Sequence, residues 1–93
     1  MIHAIALVTT VHIRNFAFSP AHLRIATGQS VRFVNDDQDA HTVTADSRAF
    51  SSDGLDTGDA WTHVFTRPGE YTYFCALHPY MRGSIIVVPR VKR

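Results

Sequence analysis

The sequence predicts an all-β protein, a Greek-key β-sandwich of seven to eight strands, on three observations. Apolar and β-branched residues come in short runs of β type, some of them alternating with polar residues; clusters of Gly, Pro, Asn, Asp and Ser separate the runs; and no amphipathic helical pattern exceeds about two turns. A chain of 93 residues holds one core, so residues 1–93 are expected to form a single domain.

The first run spans Ile5 to Ile13. The aromatic link Phe16-Ala17-Phe18-Ser19-Pro20 follows and is expected to cross or plug one end of the core, because Pro20 lacks the N–H that a central strand needs. Leu23-Arg24-Ile25 and Val31-Arg32-Phe33-Val34 alternate on either side of the turn residues Thr27-Gly28-Gln29-Ser30, which reads as a hairpin. The polar loop Asn35-Asp36-Asp37-Gln38-Asp39 leads into His41-Thr42-Val43-Thr44, a fourth strand that starts at the histidine. Asp46 to Asp59 is irregular, has Phe50 and Leu55 as its only apolar anchors, and is expected to wrap the sandwich edge. Ala60 to Phe65 and Glu70 to Cys75 are two further strands, with Pro68-Gly69 placed at the centre of a type II turn between them, and Gly83 to Val88 is the last strand.

Composition narrows the function. Hydrophobic residues make up 45% and charged residues 18%, which excludes disorder as the main state, and a net charge of +1 gives no electrostatic reason to expect nucleic acid. The longest apolar run, Ala4 to Val8, is far short of a membrane span, and Met1 to Val8 lacks the basic start and cleavage pattern of a secretory signal. Seven of the eight acidic residues fall between Asp36 and Asp59, as expected of a solvated loop. The single Cys75 cannot form an internal disulfide. A lone cysteine in a β-core is commonly a small buried hydrophobe and methionine a core filler. Here, however, Cys75-Ala76-Leu77-His78-Pro79-Tyr80-Met81 sets a thiol, an imidazole and a thioether at intervals of three, in a loop after a strand. A sandwich can bring His41, 34 residues upstream of Cys75, beside them. One thiolate, two imidazoles and a weak thioether form the donor set of copper electron-transfer sites, whereas zinc favours four strong donors and has little use for Met81. His3, His12, His22 and His63 show no ligand spacing and read as surface or packing residues, and Trp61, Phe65, Tyr71, Tyr73 and Phe74 read as core aromatics.

On these residues the chain resembles the cupredoxins, the small blue copper proteins. The loop from Cys75 to Gly83 is most similar to that of the amicyanins, with plastocyanins and pseudoazurins as relatives, and the likeness runs from Gly28, Asn35 and His41 through Tyr71-Thr72-Tyr73-Phe74-Cys75 to the final strand. The resemblance implies one type 1 copper bound by His41, Cys75 and His78 with Met81 axial, and one-electron cycling between Cu(I) and Cu(II). It implies His78 as the electron port, with Leu77, Pro79 and Tyr80 as a docking patch around it. It also implies a soluble monomer outside the cytoplasm, periplasmic or otherwise extracytoplasmic, serving redox partner proteins such as a dehydrogenase, a cytochrome or an oxidase. Asn35, Thr42 and backbone N–H groups near Cys75 are candidates for the hydrogen bonds that aim the ligands and tune the sulfur.

Two departures stand out. Amicyanins carry asparagine where this chain has Thr42, which implies rearranged hydrogen bonding around the site, and the N-terminal part is shorter. With four donors assigned and no catalytic base in evidence, enzymatic turnover is not expected. A copper protein that stores the metal or delivers it to an oxidase is the alternative; a structural sandwich with accidental ligands is a third.

Overall fold

The computed structural model describes residues 8–90. Its eight strands are β1 (Val8–Arg14), β2 (Ala17–Ser19), β3 (His22–Ala26), β4 (Ser30–Asn35), β5 (Thr44–Ala45), β6 (Ala60–Val64), β7 (Gly69–Phe74) and β8 (Arg82–Val88), with no helix among the described residues. They form two four-stranded sheets, in the order β2-β1-β4-β6 and β3-β8-β7-β5. The pairs β1–β4 and β3–β8 run parallel and the others antiparallel. The all-β sandwich expected from the sequence is the fold observed. The Ile5–Leu7 end of the first run, the N-terminal segment read for a secretory signal, and His3 lie outside the described residues.

Alternation explains which residues meet between the sheets. Val11 and Ile13 of β1, Val31 and Phe33 of β4, Tyr73 of β7, and Ile85 and Val87 of β8 all turn inward at two-residue intervals. Tyr73 lies opposite Gly83 in the β7–β8 ladder, and a Cβ at Gly83 would come within 2.4 Å of the tyrosine ring, so only glycine leaves room for it. Phe50 and Leu55 are buried and pin the long stretch after β5 against the core, as the sequence led us to expect. Phe65 and Tyr73 are core aromatics, Trp61 and Tyr71 pack against the core, and Phe74 lies under the Arg82 guanidinium.

Four local expectations are corrected. β3 and β4 form no hairpin: β3 pairs with β8 and β4 with β1, in opposite sheets. Alternation shows only that each run has a buried face, and these two faces meet across the core rather than lying side by side. Gly69, with φ of 150°, is not the central residue of a type II turn but the first residue of β7, and the segment from β6 is another crossover between sheets. The fourth strand does not start at His41: that residue makes an isolated bridge with Leu55, and regular pairing is confined to Thr44–Ala45. Finally, the link after β1 contains a short edge strand. A two-residue loop, Asn15 (φ 53°) and Phe16 (φ 57°), returns the chain antiparallel along β1 as β2, and left-handed values at both loop residues are the type I′ signature. Pro20 follows β2 and takes no part in the ladder, in keeping with its missing N–H.

Candidate metal centre

The Cys75 loop is built from two successive turns. The His78 N–H donates to the Cys75 carbonyl at 3.2 Å, the Met81 N–H to the His78 carbonyl at 2.9 Å, and the Cys75 N–H closes the loop onto the Met81 carbonyl at 3.1 Å. The spacing of three between cysteine, histidine and methionine is therefore the period of a turn, and Pro79 occupies the second position of the second one, where its fixed φ is favoured. Cys75 continues the inward face of β7 begun by Tyr73, and Met81 is buried just before β8.

His41 comes from the other sheet's loop. Buried Asn35, at the end of β4, donates through Nδ2 to the carbonyls of Asp39 and Leu55, both at 2.8 Å, and accepts the Asp37 N–H at 2.8 Å. Reciprocal bonds between His41 and Leu55, of 3.0 and 2.7 Å, complete the support. Asn35 thus shapes the loop that carries His41, and its side-chain hydrogen bonds go to that loop and to Leu55 rather than to the sulfur.

These loops bring His41, Cys75 and His78 together. Both imidazoles turn Nδ1 toward Cys75 Sγ, at 3.6 Å for His41 and 3.8 Å for His78, and the three donor atoms lie within 4.8 Å of one another. An ion with sulfur at about 2.3 Å and nitrogen at about 2.0–2.1 Å, arranged trigonally, separates sulfur from nitrogen by about 3.8 Å, so the spacing fits a first-row metal. His41 and Cys75 are fully buried, while the His78 side chain is 25% exposed and reaches the surface. Around it stand Leu77, Pro79 and Tyr80, all exposed.

Thr42 ties the two loops to each other. Its N–H donates to Cys75 Sγ at 3.3 Å, and its Oγ1 accepts the Ala76 N–H at 2.7 Å. The threonine that departs from the amicyanin pattern thus supplies a cross-loop bond of its own. Thr42→Val keeps the shape and removes that acceptor, and is expected to lower stability by about 1 kcal/mol, read as a lower urea midpoint at unchanged m-value.

Two neighbours of the site went unrecognised in the sequence. Asp37 Oδ2 accepts His41 Nε2–H at 2.9 Å, and the same carboxylate accepts the N–H groups of Asn15 and Phe16. Partial burial works against its charge, but the bonds from Phe16, His41 and Asn15 outweigh it and hold the carboxyl below the ordinary aspartate range. The Phe16 ring stands edge-on to both imidazoles, with centroids 5.4 Å from His41 and 5.1 Å from His78. Neither had a legible signal, since Asp37 is one of several acids in a polar loop and Phe16 one of two aromatics in a link. The other histidines of the described residues stay apart from the centre: His12 pairs with Asp36, His22 with Ser84, and His63 stacks on Trp61.

The model of the cupredoxin-like domain matches residues 4–87. The chain belongs to the cupredoxin-like family. Among curated relatives, an amicyanin of Paracoccus versutus is 30% identical over 82 residues, covering 83% of this chain and 62% of that protein, so this cupredoxin spans about three fifths of its relative's length. Among solved structures, the Cu-containing nitrite reductase NirK from Thermus scotoductus SA-01 superposes with a TM-score of 0.81 at 34% identity, covering 91% of this chain and 23% of that one. A Cu(I) amicyanin variant gives 0.81 at 25% identity, covering 86% of this cupredoxin and 81% of that chain. Copper is the cofactor of this family, and His41, Cys75, His78 and Met81 are arranged here as a copper site. No helix among the described residues is long and apolar enough to cross a membrane.

Proposed function

We propose that this cupredoxin is a blue copper electron carrier that passes single electrons between redox partner proteins, with His41, Cys75 and His78 as copper ligands and Met81 as a weak axial donor. The observation that carries the reading is the convergence of two Nδ1 atoms and one Sγ in a buried site from which His78 alone of the three reaches solvent. Copper supplies the one-electron couple. The protein supplies a fixed donor set: loops closed by turn bonds and by Thr42 resist the ligand rearrangement that a change of oxidation state would otherwise demand. His78 is the electron port, and exposed Leu77, Pro79 and Tyr80 form a small apolar rim suited to brief encounters with a dehydrogenase, cytochrome or oxidase. With all four donors committed to the metal, the chain carries no catalytic step of its own. We place it outside the cytoplasm, as one domain acting as a monomer.

The match to one quarter of a nitrite reductase favours a second reading, in which the same site relays electrons within a larger oxidoreductase. Copper storage or delivery to an oxidase shares the ligands but requires release of the ion.

The test is titration of the reduced, metal-free protein with Cu(II). An intense thiolate-to-copper band saturating at one equivalent, bleached by ascorbate and restored by oxidant, is the expected result. Binding without colour, or rapid loss of Cu(I) to a competing chelator, would move the reading to delivery. Met81→Gln is expected to retain copper and lower the reduction potential by about 59 mV or more, a tenfold shift in a one-electron couple, because a harder axial oxygen favours Cu(II). Protein-film voltammetry reads the shift, and an unchanged or higher potential would remove Met81 from the ligand set.

A further inference from the structure

Behind His41, on the side away from Cys75, three N–H groups converge on one carboxylate. Asp37 Oδ1 accepts the Asn15 N–H at 2.6 Å, while Oδ2 accepts the Phe16 N–H at 2.9 Å and His41 Nε2–H at 2.9 Å. The Asp37 side chain is 11% exposed. Successive N–H groups of a turn can form a concavity that binds an anion, and the β1–β2 turn presents the N–H groups of Asn15 and Phe16 to Asp37. A non-glycine residue in that region costs about 1–2 kcal/mol, and the two charge-assisted bonds from Asn15 and Phe16 offset the strain.

We propose that Asp37 is the positioning residue of the copper site: it fixes the tautomer and orientation of His41 and raises the electron density on the nitrogen facing the metal, so that it sets the reduction potential. The inference rests on His41 being a copper ligand. An ionised carboxylate only accepts hydrogen bonds, so the proton of neutral His41 sits on Nε2 and Nδ1 keeps its lone pair toward Cys75 Sγ. A carboxylate partner makes an imidazole a stronger donor, and a stronger nitrogen donor favours Cu(II) over Cu(I). The same anion holds the turn that sets Phe16 edge-on against both imidazoles.

The experiment compares reduction potentials of the copper-loaded protein with those of Asp37→Asn, Asp37→Glu and Phe16→Leu. In Asp37→Asn we expect one equivalent of copper and the visible band to remain. At a fixed applied potential the Cu(I):Cu(II) ratio should rise about tenfold or more, about 59 mV for one electron. Asp37→Glu should recover most of that change, and Phe16→Leu should leave the ratio within about twofold, since it retains the charge. An Asp37→Asn ratio within about twofold of the parent, or a Phe16→Leu shift as large as that of Asp37→Asn, would overturn the proposal and leave loop packing as the cause. A second readout needs no variant: long-range 1H–15N spectra of the parent protein, metal-free and as Cu(I), should show His41 protonated at Nε2 with slow proton exchange. Protonation at Nδ1, or rapid exchange at Nε2, would overturn it. Failure of the ligand reading is distinct, because the parent would then lack the visible band whatever its tautomer.

Discussion

Cys75→Ser is expected to abolish the intense visible absorption of the copper-loaded protein while leaving the sandwich folded. The chain has one cysteine, so no second thiolate can take over the charge transfer. Removing it takes the only thiolate from a set whose other protein donors are two imidazoles and a thioether. Loss of an outer hydrogen-bond partner already costs about 10–100-fold in metal affinity, and loss of a direct ligand should exceed that. The fold should hold because serine is slightly smaller and its oxygen can accept the Thr42 N–H that now meets Sγ at 3.3 Å. Copper titration and the far-ultraviolet spectrum read the two halves separately. Persistent colour would show that the band does not arise from Cys75, and an unfolded variant would show that the thiol is needed for packing.

Gly83→Ala should be the most disruptive single methyl group among the described glycines. Its Cβ would lie 2.4 Å from Tyr73 Cζ and Oη and 2.8 Å from Cε1, against 3.8 Å or more for any contact of the others. The ring has nowhere to go, since Tyr73 is fully buried with Phe18 and Phe33 edge-on to it at centroid distances of 4.8 and 5.5 Å. Overpacking of this kind costs about 1–3 kcal/mol and occasionally more, and contact with a closed ring places this case at about 3 kcal/mol. The consequence reaches the metal centre, because Tyr73 and Gly83 pair in the ladder whose ends carry Cys75 and Met81. We expect a lower urea midpoint together with weaker copper retention. The double variant with Tyr73→Ala should be less destabilised than the sum of the two single changes. An unchanged midpoint in Gly83→Ala would mean that β7 and β8 separate at no cost.

How much of this was legible in the sequence varies from element to element. β4 announces itself through alternation, because a strand with one buried face repeats every two residues whatever it pairs with, and β8 through an almost wholly apolar run. The same local signal says nothing of partners. Leu23-Arg24-Ile25 and Val31-Arg32-Phe33-Val34 look like the arms of a hairpin, yet each lies in a different sheet, because two buried faces can be satisfied across a core as readily as side by side. Pro68-Gly69 misled for a related reason, since its turn chemistry serves a crossover.

For the site, the sequence by itself determined the donor types and the spacing of Cys75, His78 and Met81, because a turn closes over three residues and its bonds are local. It also determined the chemical class of ion, since softness belongs to the side chain. Only the tertiary structure decided that His41 meets them, that Thr42 bonds to both Cys75 and Ala76, and that Asp37 and Phe16 stand behind and over the imidazoles. The Asp37–His41 bond spans only four residues of one loop, but the other contacts join residues on separate loops, some more than twenty positions apart, and are fixed by sheet order and register, which depend on how all eight strands bury their faces at once.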